Sequence, residues 1–334
     1  MNIRTSNRFL WLLGSLILIS IACQGTSTPS PSASTQDKQP GQPPPAATEI
    51  KDVPVSLPEK RENQAGDPDS SPNANRKLVS AGEKFVRGLF ERPFNAETMD
   101  TYFPYLDIVD TQGYKDNTWG FATISLSNID ANGALPGNYG VELDLNRDGR
   151  GEWLILAANP SSTDWSVQGV QAWTDANGDV GGRTPMSADE NQPGDGYEVL
   201  VFGQGHGEYT DEVWVRVSAD DPRTIAFDFS LAMLGNPDSY AMGAWAGSEM
   251  LDPALFDMND HMTHMQAGSP LPDLFVYPLK ELAEIDNTCR IAIGFVPTGS
   301  EPGLCQTFIP GEPGAPVVGC TPSFSVAGVP MYCP

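Results

Sequence analysis

The sequence predicts a mainly β protein, an antiparallel β-sandwich with a short N-terminal helix and a disulfide-held C-terminal tail. Three observations lead there. Between Trp119 and Phe295, apolar residues recur at alternate positions in short runs, the period of a strand with one face in a core. Clusters of Asn, Asp, Gly and Pro punctuate those runs, as turns do between strands. Four cysteines, Cys289, Cys305, Cys320 and Cys333, crowd the C-terminal end, a usage suited to an oxidising compartment.

Of the 334 residues, 43 are acidic and 19 basic, a formal charge of -24. That balance argues against nucleic acid, whose binding needs clustered Lys and Arg to neutralise phosphates. A 40% hydrophobic content with 33 Gly and 30 Pro describes a globular domain carrying Pro-rich segments.

Arg4 and Arg8 precede an unbroken apolar run over residues 9–22, FLWLLGSLILISIA. The run is shorter than the roughly 20 residues a transmembrane helix needs, so residues 1–22 read as a signal peptide. It ends in Ser20-Ile21-Ala22-Cys23, which resembles a bacterial lipoprotein processing site, with Ser20 where Leu is usual. The resemblance implies lipidation of Cys23, a lipid anchor in the cell membrane and an extracytoplasmic, oxidising location. A plain signal peptide cut nearby, leaving Cys23 free, is the alternative. Residues 23–75 are rich in Pro, Ser, Thr, Gln and Asn and lack aromatics. They bury too little apolar surface to offset ordering entropy and read as a disordered tether, roughly 40 Å long as a flexible coil.

The sandwich domain is expected over 76–305. Asn75 is placed to cap a short amphipathic helix through Leu78, Phe85, Val86, Leu89 and Phe90 that stops before Pro93. About nine strands follow: 119–127, 139–145, 152–158, 165–174, 197–202, 213–217, 224–230, 240–246 and 289–295. In the sixth, Val213, Val215 and Val217 share one face and Trp214 and Arg216 the other; in the seventh, Ile225, Phe227 and Phe229 oppose Asp228. Such strands are expected to be buried on one side only. YPLKELAE, 277–284, reads as a helical turn interrupting them. Residues 306–334 hold six prolines and two cysteines and read as an irregular, crosslinked tail. The four cysteines form no CxxC pair, which disfavours zinc; nearest-neighbour disulfides, Cys289 with Cys305 and Cys320 with Cys333, are expected among three connectivities.

The strongest chemical motif is Asp144-Leu-Asn146-Arg-Asp148-Gly149-Arg-Gly-Glu152. Oxygen side chains at positions 1, 3, 5 and 9, a Gly at 6 for the bend and the Arg150 carbonyl at 7 suit a hard cation with six or seven oxygen ligands. An EF-hand would also need a Glu at position 12, where Ile155 stands, and flanking helices. The loop instead resembles the calcium loops of FG-GAP-type repeats, DxNxDGxxE before an apolar strand, and the resemblance implies a structural Ca2+ site without a propeller. A polar turn in which Asp and Asn accept backbone amides is the other reading. Asp175-Ala-Asn177-Gly-Asp179 repeats the 1, 3, 5 oxygens without the acid at 9 or the Gly at 6; Asp189, Asn191, Asp195 and Glu198 either complete it or solvate a loop.

Catalytic signals are weaker. Asp257, Asp260, His261 and His264 lie close in sequence but lack the HExxH order in which a Glu serves as general base beside zinc. No GxSxG elbow is present, and Gly203-Gln-Gly205-His206-Gly207 lacks a following P-loop Lys. Of the tryptophans, Trp173 beside the second acidic loop and Trp214 opposite the valine face are expected to be accessible for stacking on a ligand.

TIAFDFSLAML and YAMGAWAG, within 224–247, look like the late strands of DOMON and family-9-like carbohydrate-binding sandwiches. That resemblance implies a β-sandwich that binds sugar or, in some DOMON members, haem; no haem ligand pair stands out. The whole chain also resembles uncharacterised exported bacterial lipoproteins. The expectation is a non-catalytic, calcium-stabilised, lipid-anchored module that binds carbohydrate or another envelope polymer. Its rivals are an envelope structural or protein-interaction module, and a glycoside or metal-dependent hydrolase.

Overall fold

The structure, a computed structural model, describes residues 54, 56–72, 88–96, 101–180, 196–203, 212–249, 251–256, 261–267, 281–305, 325–326 and 329–330. The expected signal peptide, the lipidated Cys23, nearly all of the expected helix at 75–90 and most of the tail lie outside them.

The protein is mainly β. Its strands are β1 (Asn63–Gly66), β2 (Glu91–Arg92), β3 (Ile108–Lys115), β4 (Trp119–Leu126), β5 (Asn138–Asp144), β6 (Trp153–Ala158), β7 (Val170–Thr174) and β8 (Val199–Phe202). There follow β9 (Val213–Val217), β10 (Thr224–Ser230), β11 (Tyr240–Gly247), β12 (Ile285–Asn287), β13 (Ile291–Ile293), β14 (Ser325–Val326) and β15 (Val329–Pro330). A five-stranded sheet runs β1-β3-β4-β10-β9; an eight-stranded sheet runs β2-β12-β11-β5-β6-β7-β8, with β13 also on β11. Every pairing between these strands is antiparallel.

The two sheets close on one apolar core. Ile124, Val213, Val215, Ile225, Phe227 and Phe229 of the smaller sheet meet Tyr139, Val141, Leu143, Ile155, Tyr240 and Met242 of the larger. Period-two alternation places each of these on the inner face. Gly120 is required there, since a Cβ would meet the Phe229 ring at 2.2 Å.

Three features depart from expectation. Ordered structure begins before residue 75: β1 pairs with β3 from Asn63↔Gly113 to Gly66↔Asp110, Ala65 enters the core, and Asn63 Nδ2 donates to the Ala292 carbonyl at 3.2 Å. A backbone ladder orders this stretch despite its polar composition. The strands are also not bare on their outer faces. A second cluster of Phe90, Leu154, Leu156, Tyr197, Trp245 and Phe256 covers the larger sheet, and Trp214, Ala226 and Asp228 are buried on the outside of the smaller one. Finally, Glu281–Glu284 form bends rather than the end of a helical turn.

Candidate functional site

The β5–β6 connection carries the first acidic loop. β5 alternates, so Tyr139, Val141 and Leu143 point into the core while Glu142 and Asp144 emerge beneath the outer apolar cluster, both buried. Asp144 then holds the turn: Oδ1 accepts from Arg147 N at 2.6 Å and Oδ2 from Gly149 N at 2.9 Å. Asn146 Oδ1 accepts from Asp148 N, and Asp148 Oδ1 from Arg150 N, both at 2.9 Å. Glu152 reaches back to accept from Leu145 N and from Asn146 Nδ2, each at 2.5 Å. Carboxylate oxygens of Asp144, Asp148 and Glu152 thereby come within 4.8 Å of one another.

This concentration of acid has an electrostatic cost. Burial, above all, raises the pKa of Asp144 and pushes that of Glu152 to about 7, the charges of Asp144 and Asp148 adding to the latter. Arg290 answers part of the charge from below. Its guanidinium lies 3.1 Å from Glu142 and 3.8 Å from Asp144, and donates to the Gly149 carbonyl at 2.9 Å. Burial works against the Arg290 cation, but Glu142 and Asp144 outweigh it. Glu142 also accepts from Tyr197 Oη at 2.9 Å and Trp245 Nε1 at 3.3 Å.

The second loop follows β7 and repeats the same hydrogen bonds, although its position 6, Val180, lacks the left-handed φ that Gly149 has at 94°. Asp175 Oδ1 accepts from Gly178 N, three residues on, and Oδ2 from Val180 N, five residues on, while Asn177 Oδ1 accepts from Asp179 N. Asp144 and Asn146 make these contacts at the same offsets. Position 4 is left-handed in both, with Arg147 at φ 64° and Gly178 at φ 75°. Pairing of β6 with β7 sets the loops side by side, and Arg150 joins them by donating from Nη1 to the Gly178 carbonyl at 2.8 Å. Glu198 closes the second loop by accepting from Ala176 N. Among the described residues, however, Asp175 and Asp179 do not join any three-acid cluster like that of Asp144; Asp189, Asn191 and Asp195 lie outside them.

Trp173 is half-buried beside this loop, against the outer apolar cluster, with Nε1 donating to Gln171. Trp214 is not accessible: only 6% of it is exposed, which overturns its expected place on a ligand face. Ser166 bridges to Val215 along the edge of β9, and on the outer face the Trp165 ring lies 4.4 Å from the Arg216 guanidinium. Cys289 and Cys305 form a disulfide; Cys320 and Cys333 lie outside the described residues. So do His206, Asp257 and Asp260, while His261 is half-buried.

A second acidic cluster has no sequence motif. Asp67, Glu91 and Asp286 bring carboxylate oxygens within 4.8 Å of one another, from three separate segments near the two ends of the described chain.

No family model matches this chain, and no match to it is found among curated proteins or solved structures.

Proposed function

We propose that the chain is an exported binding module, lipid-anchored through Cys23, whose β-sandwich is stabilised by calcium and takes carbohydrate or another envelope polymer without catalysis. The observation that carries the calcium reading is the first acidic loop. Three carboxylates within 4.8 Å and an Asn on one nine-residue turn form an all-oxygen donor set of the kind calcium prefers. The adjoining loop with the same hydrogen-bond pattern and half-buried Trp173 at its base supplies the polar rim and stacking ring of a small glycan site.

A second reading, an envelope structural or protein-interaction module, is favoured by the burial of Trp214 and Trp245, which leaves fewer rings for sugar. Hydrolysis by acidic loop residues or the His261/His264 pair is the third.

Melting curves of residues 56–334 in EDTA, calcium and magnesium test the ion, and a glycan array with and without EDTA tests the ligand. Calcium should raise the melting temperature more than magnesium, whose smaller ion demands stricter octahedral geometry, and Asp148→Ala should remove most of that gain. Glycan binding lost in Trp173→Ala supports the first reading, silence the second and turnover the third. Equal curves in EDTA and millimolar calcium would make the loop a polar turn only.

A further inference from the structure

The second acidic cluster lies where the sheets meet. Asp67 leaves β1, its N–H on the Val109 carbonyl of β3 at 3.1 Å, and Asp107 directly precedes β3. These belong to the smaller sheet. Glu91 on β2 and Asp286 on β12 belong to the larger one and are direct cross-strand partners, a placement in which two like charges repel. Asp107 and Asp286 are fully buried and Glu91 is 1% exposed.

Local donors satisfy only part of this set. Ser70 donates from Oγ to Glu91 Oε1 and from N to Asp107 Oδ2; Tyr102 Oη also donates to Asp107 Oδ2. Ile108 N donates to Asp286 Oδ2 at 2.6 Å. Left over are Asp286 Oδ1, Asp107 Oδ1 and Asp67 Oδ2, each buried with no hydrogen-bond partner. Among the described residues, no Lys or Arg pairs with Asp67, Asp107 or Asp286. The charges pressing on Asp286 are those of Glu91, Asp67 and Asp107. Buried carboxylates in such surroundings need a counter-charge or a proton.

We propose that Asp67, Glu91 and Asp286, with Asp107 beside them, bind a hard divalent cation, calcium, that clasps β1 and β3 of one sheet to β2 and β12 of the other. Calcium takes oxygen ligands at about 2.3–2.6 Å, so oxygens within 4.8 Å of one another can share a single ion. The unpartnered Asp286 Oδ1 points to the ligand independently of the acidity of the cluster. This site is separate from the Asp144 loop, with which it shares no residue.

The test is metal content and calcium titration of the full chain, in an Asp148→Ala background that removes the loop site. One tightly held equivalent of calcium should remain, and Asp286→Asn should remove it, weakening binding by more than the roughly 10- to 100-fold typical of losing an outer-shell partner. Asp67→Asn, at the half-buried rim, gives a second variant that spares the core. Stability should change sign with buffer: each Asn variant should melt above the parent in EDTA, because repulsion is relieved, and below it in calcium. Variants that melt above the parent in both buffers, or a parent that holds no ion, would mean that the cluster carries protons and would overturn the clasp. The two sites fail separately. A wild type that holds a single ion, kept by Asp148→Ala and lost by Asp286→Asn, sinks the loop reading alone, and a single ion lost by Asp148→Ala and kept by Asp286→Asn sinks the clasp alone.

Discussion

Arg290 and Asp144 face each other at 3.8 Å beneath the first acidic loop, and the same Arg290 nitrogen donates to the Gly149 carbonyl inside it. The loop thus has a resident cation below it, which neutralises one side and leaves Asp148 and Glu152 to face outward.

Replacing Arg290 by Gln should leave Glu142 and Asp144 buried without that charge, a loss of about 3–5 kcal/mol for a broken buried pair. If calcium binds the loop, it should restore more stability to this variant than it adds to the wild type. Urea unfolding in EDTA and in calcium reads both quantities, and an equal calcium increment would separate Arg290 from the loop.

Gly151 lets the Tyr197 hydroxyl approach Glu142. A Cβ built there meets Tyr197 Oη at 1.9 Å and Glu142 Oε1 at 2.7 Å, so Gly151→Ala should cost about 1–3 kcal/mol by overpacking. Removing the hydroxyl opens the space. A Gly151→Ala/Tyr197→Phe double variant should therefore be less destabilised than the two single changes added together, and simple additivity in a double-mutant cycle would count against the contact.

The Cys289–Cys305 disulfide flanks Arg290, which donates its N–H to the Gly303 carbonyl and accepts from Cys305 N. Opening this 16-residue loop by Ser replacement of both cysteines should cost roughly 3 kcal/mol. Because the guanidinium depends on that backbone, the calcium-induced rise in melting temperature should also change. Thermal scans of the double Ser variant check the pair of effects, and a shift of stability with an unaltered calcium response would show that Arg290 is held by other contacts.

Asp228 sits opposite Trp214 on the outer face of the smaller sheet, fully buried. Burial first, then the charge of Asp116, raises its pKa to about 9, with Arg216 opposing. The folded chain therefore keeps a proton that the unfolded chain releases near pH 4. Its contribution to stability is complete below about pH 4 and is lost as pH rises towards 9, by at most about 1.4 kcal/mol per pH unit. Asp228→Asn should flatten that slope and stabilise the protein at neutral pH. Denaturation midpoints at pH 5 and pH 8 decide it, since an unchanged slope would place the titrating group elsewhere.

Much of the sandwich is legible in the sequence because a strand announces itself locally. The runs at 139–145, 152–158, 213–217, 224–230 and 240–246 correspond to β5, β6, β9, β10 and β11. β3 escaped because Asp110, Thr111, Gln112 and Gly113 break its apolar alternation. β1, β2 and β12 escaped because they are short or polar and take their order from neighbouring strands. The oxygen spacing of the loop at 144–152 was legible in the sequence; the shared hydrogen-bond pattern of the loop at 175–180 was harder to see, because its glycine stands at position 4, where Gly178 takes the left-handed φ that Arg147 takes in the first loop.

Contiguous residues determined the mainly β class and the turn-forming acidic loops, since each depends on periodicity or spacing over a few positions; the pairing of Cys289 with Cys305 was one expectation among three connectivities until the fold brought the two together. Tertiary structure alone decided that Asp67, Glu91 and Asp286 meet, that Arg290 lies under Asp144 and that Trp214 is hidden. The reason is that strand pairing joins segments far apart in the chain, such as β1 with β3 and β2 with β12. Side-chain alternation sends a residue to one face or the other, but what covers that face is set by whichever distant segment packs there.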